Sequence, residues 1–164
     1  MWQGYQALGL GAWRGLLATL GSMPRARTRR RASSRPCRVL LVEDDDPFAA
    51  ALTELLEAGG RVKVAGRASD GREGVELAEA LRPDVVLMDI VLPVMDGVEA
   101  TREIRRRQPT TPVVAITGWE YEERALEVRE AGAVDFVRKG RLDPDLVEIV
   151  VAAAKRRQRR GRGR

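Results

Sequence analysis

The chain has 164 residues, 44% of them hydrophobic and 32% charged, the proportions of a soluble protein with one domain and a buried core. It has no histidine and one cysteine, Cys37. This excludes a Ser-His-Asp triad, a histidine-bound metal, a phosphohistidine intermediate and an internal disulfide, and it points to a reducing cytoplasm. The net charge of +5 is unevenly spread: residues 1 to 36 hold seven Arg and residues 156 to 164 six, with no acid in either, so the body between them carries −8.

Taken in chain order, residues 7 to 23 include an apolar run, but Arg14 interrupts it and the other basic residues follow it, the reverse of a secretory signal. No export and no membrane span are expected. Residues 1 to 36 read as a disordered basic extension, with a start at Met23 as the alternative. Folded structure is expected from Cys37 or Arg38 to about residue 155.

RVLLV (38 to 42) has the pattern of a buried strand. A helix follows with Asp46 as its cap, Pro47 in its first turn, and Phe48, Leu52, Leu55 and Leu56 along one face. RVKVAG (61 to 66) alternates, as an edge strand does, and Asp70 is placed to cap a helix whose Gly74, Leu77, Ala78 and Leu81 share a face. DVVLMD (84 to 89) is a second buried strand, and a turn at 93 to 97 leads to a helix ending near Arg107. PVVAIT (112 to 117), a helix over 120 to 131 closed by Gly132, VDFVR (134 to 138) and a helix from about Asp143 to Arg157 complete the series. Five strands alternating with five helices specify an α/β fold with a doubly wound parallel sheet.

In such a fold ligands bind beyond the carboxyl ends of the strands. Those ends carry Glu43 and Asp44, Asp89, Thr117 and, just past the last strand, Lys139. Carboxylates about 5 Å apart repel by about 3 kcal/mol per ionised pair at an effective dielectric near 20, so a group of them takes up protons or recruits a cation. With oxygen ligands alone, Mg²⁺ or Mn²⁺ fits, and Glu43 and Asp44 are the first candidates for holding it. A carboxylate can also attack phosphorus, and Asp89 is placed for that, with the metal on one side and Thr117 and Lys139 on the other.

VLLVEDD (39 to 45), PDVVLMDIVLPVMDG (83 to 97), TPVVAITG (111 to 118) and AGAVDFVRKG (131 to 140) resemble, in order and interval, the four signature blocks of the response-regulator receiver domain of two-component signalling. The resemblance implies a flavodoxin-like strand order, 2-1-3-4-5, and a phosphoacceptor that catalyses only its own phosphorylation and dephosphorylation. Asp89 would accept the phosphoryl group from a sensor histidine kinase or phosphotransfer protein. Mg²⁺ would be bound by Asp44 and Asp89, by Glu43 through water, and by the backbone carbonyl of Val91. Thr117 and Phe136 would be the switch pair and Lys139 the conserved-type cation. The output would be a partner in trans, or self-association through residues 120 to 155, with no output domain expected after the last helix.

Four departures qualify the resemblance. The family follows its lysine with a proline in a cis peptide, where this chain has Gly140; a non-proline cis bond costs about 2.5 to 4 kcal/mol, so a trans or rearranged loop is expected. Phe136 lacks the hydroxyl of the more familiar tyrosine, and on its own it reads as strand packing. Trp119 and Val91 crowd the approach of attacking water, which predicts a long-lived phosphoryl state. The alternative function is a receiver-like interaction module that is never phosphorylated. A Mg²⁺-dependent phosphatase is disfavoured by Val91, two residues past the nucleophile, where such enzymes commonly carry a second Asp. Flavodoxin-like cofactor binding lacks its phosphate loop. Residues 156 to 164 read as a disordered basic tail, with contact to nucleic acid phosphates as the secondary reading and no aromatic residue for base stacking.

Overall fold

The structure is a computed structural model that describes residues 35–118, 122–139 and 145–161. Trp119, Gly140, residues 1–34 and residues 162–164 lie outside the described residues, and with them the expectations placed there.

Five strands form one sheet: β1 (Cys37–Val42), β2 (Val62–Ala68), β3 (Val85–Asp89), β4 (Val113–Thr117) and β5 (Asp135–Arg138). Their order is β2-β1-β3-β4-β5 and every pair is parallel. Both expectations are met: a doubly wound sheet, with order 2-1-3-4-5. The central strands are apolar throughout, since Val39–Val42, Val85–Met88 and Val113–Ile116 are fully buried, as a sheet covered on both faces requires. β2, at the edge, is buried only at its ends, Val62 and Ala68, with Lys63 and Arg67 exposed.

The helices are α1 (Asp46–Glu57), α2 (Gly71–Leu81), α3 (Gly97–Arg107), α4 (Glu122–Glu130) and α5 (Asp145–Gly161). Leu40, Val42, Val86 and Met88 pack against Val75 and Ala78 of α2 and Ala100 and Ile104 of α3. The alternate residues Val39, Leu41 and Leu87 point the other way, toward the face covered by α1 and α5, where Leu52, Leu56, Leu146 and Val150 are buried. Among the described residues no helix is long and apolar enough to cross a membrane.

Two boundaries differ from the expected ones. The cap of α1 is Asp45, whose side chain accepts from the Phe48 N–H at 2.8 Å, while Asp46 is the first helical residue and pairs with Arg67. A cap must reach the N–H three positions on, and only Asp45 can do so if the helix starts before Pro47. α5 also continues past Arg157 to Gly161, so the segment read as a disordered tail begins as helix. Lys, Arg and Gln extend a helix at little cost until glycine ends it. The Asp70 cap is as expected, accepting from the Glu73 N–H.

Asp84, at the foot of β3, ties several segments together. It accepts from the Arg35 guanidinium at 3.0 Å and the Arg38 N–H at 2.9 Å, while Arg157 of α5 donates to the neighbouring Pro83 carbonyl. At the other end of β3, Gly97 lies so close to the strand that a Cβ would stand 1.9 Å from the Asp89 carbonyl oxygen. Neither backbone can yield. Gly97→Ala is therefore expected to destabilise the fold by about 3 kcal/mol or more, read as the midpoint shift in urea unfolding.

Candidate phosphoryl-acceptor and metal site

β1 and β3 are adjacent and parallel, so Glu43, Asp44 and Asp89 leave the sheet at the same edge. One oxygen from each lies within 4.8 Å of the others. Glu43 and Asp89 are 1% and 3% exposed, whereas Asp44 is open to solvent. Lys139, just past β5, reaches into the group, its Nζ 2.7 Å from Asp89 Oδ2 and 2.9 Å from Glu43 Oε1. The sequence-predicted carboxylates and lysine are thus brought together, and Lys139 arrives without any cis peptide bond among the described residues.

Burial raises the Glu43 carboxyl to about 7, with repulsion from Asp89 adding to it and Lys139 opposing it. Burial also raises Asp89, against the pull of Lys139 and of the Val91 N–H, which bonds Oδ1 at 3.2 Å. Burial works against the charge on Lys139, but its two carboxylate partners outweigh it and raise its pKa.

Three carboxylates against one ammonium leave a group two charges negative when all are ionised. Glu43 Oε2 is buried and has no hydrogen-bond partner, an arrangement that costs about 1 to 3 kcal/mol or more unless something binds there. An all-oxygen donor set with an unpartnered carboxylate oxygen fits a hard divalent cation such as Mg²⁺. The acidic cluster is consistent with a Mg²⁺ site.

The other expected residues stand around this centre. Thr117 ends β4 beside β3; it is 2% exposed, and its hydroxyl donates to the Gly118 carbonyl at 3.0 Å. Phe136 is half-buried against the cluster of Ile90, Val98, Ala115 and Val128, with the Arg129 guanidinium 4.9 Å over its ring. Val91 enters through its backbone N–H.

Sequence reasoning missed three participants. The Phe48 ring lies 4.8 Å from Lys139 Nζ, a cation–π contact that helps orient the ammonium. Asp96 caps α3 by accepting from the Val98 and Glu99 N–H groups and also from Arg124 of α4. Burial opposes its charge, but these donors hold its pKa below the usual value. Val94, 76% exposed, has φ of 65°, a left-handed conformation costly for a β-branched residue. Spacing marks Phe48 as a helix residue and Asp96 as part of the turn at 93 to 97, and nothing local reveals their long-range partners or the backbone angle of Val94.

An open parallel α/β sheet of order 2-1-3-4-5 with carboxylates and a lysine gathered at the carboxyl ends of its strands defines a flavodoxin-like α/β protein with its site at the strand ends. A family model for the response regulator receiver domain matches residues 39–151, and the chain belongs to that family. The transcriptional regulatory protein LiaR of Bacillus subtilis is 39% identical over 118 residues, 72% of this chain and 56% of that protein. A protein-glutamate methylesterase/protein-glutamine glutaminase of Hahella chejuensis is 48% identical over 104 residues, 62% of this chain and 26% of that protein. The chain thus spans little more than half of the first relative and about a quarter of the second. The response regulator domain of Thermotoga maritima CheB superposes with a TM-score of 0.68 at 32% identity, covering 74% of this chain and 98% of that one.

The raised Glu43 carboxyl has a consequence for stability. An acid whose folded-state pKa exceeds its unfolded value of about 4.3 stabilises the fold while protonated, and that contribution is lost as pH rises through about 7. In EDTA, neutral Glu43→Gln should be more stable than the parent, by a margin that widens between about pH 5 and about pH 8 to the order of 1 to 3 kcal/mol. Mg²⁺ should narrow it by stabilising the parent more. Thermal unfolding with and without the ion measures both effects.

Proposed function

We propose that this receiver takes a phosphoryl group on Asp89 from a phosphohistidine of a sensor kinase or phosphotransfer protein. The observation that carries the reading is the pairing of a buried Asp89 with Lys139 at 2.7 Å beside the partnerless Glu43 Oε2. Glu43, Asp44, Asp89 and the Val91 carbonyl would hold Mg²⁺, which supplies charge neutralisation to the phosphoryl oxygens.

An Asp89 carboxylate oxygen attacks phosphorus, a P–O bond forms, and the donor's P–N bond breaks with the electron pair leaving on the imidazole nitrogen. Each Asp89 oxygen already accepts one hydrogen bond, from Val91 N–H or Lys139, and a carboxylate has about four acceptor sites, so a lone pair is free to attack. Desolvation makes this carboxylate more basic, and Lys139 opposes that rise. Once Asp89 carries the phosphoryl group as an acyl phosphate, Lys139 can exchange its bond to the Asp89 oxygen for one to a phosphoryl oxygen, and the Thr117 hydroxyl can exchange its Gly118 acceptor for another.

That exchange would bias the face formed by α4, β5 and α5, with Phe136 following by repacking. Leu126 of α4 is 67% exposed on that side and suits a partner in trans or a second copy of the chain. Arg124 links α4 to the Asp96 cap, giving the acceptor loop a direct contact with the same face. The sequence relationship to LiaR supports signalling to a regulatory output, and the LPVMDG loop beside Asp89 is where a donor protein would approach.

Incubation with Mg²⁺ and acetyl phosphate should add one phosphoryl group by intact mass, none with Asp89→Asn, and none in EDTA. Lys139→Ala should slow loading by tenfold or more. Absence of uptake beside a receiver that is modified in parallel would favour the phosphorylation-independent interaction module.

A further inference from the structure

At the opposite end of the sheet, where β4 and β5 begin, lies a cavity of about 290 Å³ lined by Arg105, Arg156 and Arg157 with Pro109, Pro112 and Val134. None of its lining residues is acidic. We propose that this cavity seats a backbone phosphate of nucleic acid, and that the basic continuation of α5 holds the adjoining phosphates.

The three guanidinium groups are held in different ways. Arg105 Nη1 donates to the Pro109 and Thr111 carbonyls, and its stem runs beside Gly132, where a Cβ would stand 3.0 Å from its Cγ. Arg157 donates to the Pro83 carbonyl and lies 3.9 Å from Asp84, which is itself shared with Arg35. These carbonyls fix the two guanidinium groups in place, and Asp84, shared with Arg35, offsets only part of the charge on Arg157. Arg156 is exposed and has no ion pair among the described residues. Two anchored cations and one open one around a small concavity form a preorganised anion site, and the guanidinium fork matches phosphate.

The surroundings indicate a polymeric ligand. Residues 155 to 164 carry seven basic residues and no acid, and α5 continues as helix to Gly161, so in sequence the basic run follows directly on Arg156 and Arg157. A protein partner would need apolar anchors, yet the exposed large hydrophobic residues among those described, Val94 and Leu126, lie on the loop after β3 and on α4, away from this cavity. Without aromatic side chains in residues 155 to 164, contact should be to the backbone and independent of base sequence. The acidic body, by contrast, repels a polyanion and confines it to this end.

The test is fluorescence anisotropy of the full chain with a labelled DNA duplex and a single strand, across a salt series. Binding should weaken steeply with salt, with a slope near −0.9 per phosphate neutralised on duplex. Arg156→Glu should weaken it about tenfold or more and flatten the slope by about one, while melting temperature and acetyl phosphate loading stay unchanged. Arginine side-chain NMR signals of Arg105 and Arg157 should shift on addition of DNA, and pyrophosphate should compete. A chain with Arg159, Arg160, Arg162 and Arg164 changed to Gln should bind DNA more weakly but still show the pyrophosphate shifts. The proposal is overturned if no binding appears at low salt, if Arg156→Glu binds as the parent does, or if poly-glutamate binds as tightly as DNA. Loading of Asp89 fails or succeeds separately, so the two readings stand or fall on different measurements.

Discussion

Two carboxylates, Glu43 and Asp89, are held in the interior with a single ammonium between them, and the rest of the domain serves that constraint. Like charges so close, away from water, drive groups apart unless the backbone cannot move. Here each acid ends or just follows a central strand, paired on both sides through the ladder and buried on both faces. The sheet therefore holds the repulsion that the site uses. Lys139 relieves part of it, and the remaining negative charge, with Glu43 Oε2 left unpartnered, is what makes a divalent cation a fitting ligand.

The same constraint shapes the turn after β3. The chain must leave Asp89 at the surface end of its strand and start α3 within a few residues, so α3 begins against the strand's own backbone. Only a residue without Cβ fits at Gly97. Asp96 then caps α3 and receives Arg124 from α4, so the turn that follows Asp89 is bonded to α4. Val94 adds a strained backbone position in this turn, of the kind that folds retain where surrounding structure over-determines it. A disturbance at Asp89 has a short covalent and hydrogen-bonded route to α4.

Charge is partitioned along the strand axis. Carboxylates collect at the carboxyl ends of the strands, and arginines collect at the amino ends and along the last turns of α5. Asp84 works at the basic end, holding Arg35, the Arg38 backbone and the neighbourhood of Arg157 together. With strands of about five residues, the two ends are some 17 Å apart, roughly twice the screening length at physiological salt. Each end can thus meet its own ligand with little interference from the other.

The fold class was legible in the sequence because it rests on local pattern. The apolar runs at 38 to 42, 84 to 89 and 112 to 117, alternating with helical periodicity, admit few arrangements, and topology rules do the rest. The acidic cluster was legible for a related reason: in a parallel sheet the strand ends share one edge, so residues dozens of positions apart can be placed together from spacing alone. Lys139 could be named but its reach could not, since a loop with Gly140 in place of proline gives no local reason for the ammonium to lie on Asp89. The shift of the α1 cap from Asp46 to Asp45 turned on a single hydrogen-bond reach among four consecutive acids. Phe48 over Lys139, Arg124 on Asp96, the hub at Asp84 and the arginine-lined cavity were decided only by the tertiary structure. Each depends on where long side chains from different elements end, and sequence periodicity reports which face of an element is buried but not which atom lies opposite it.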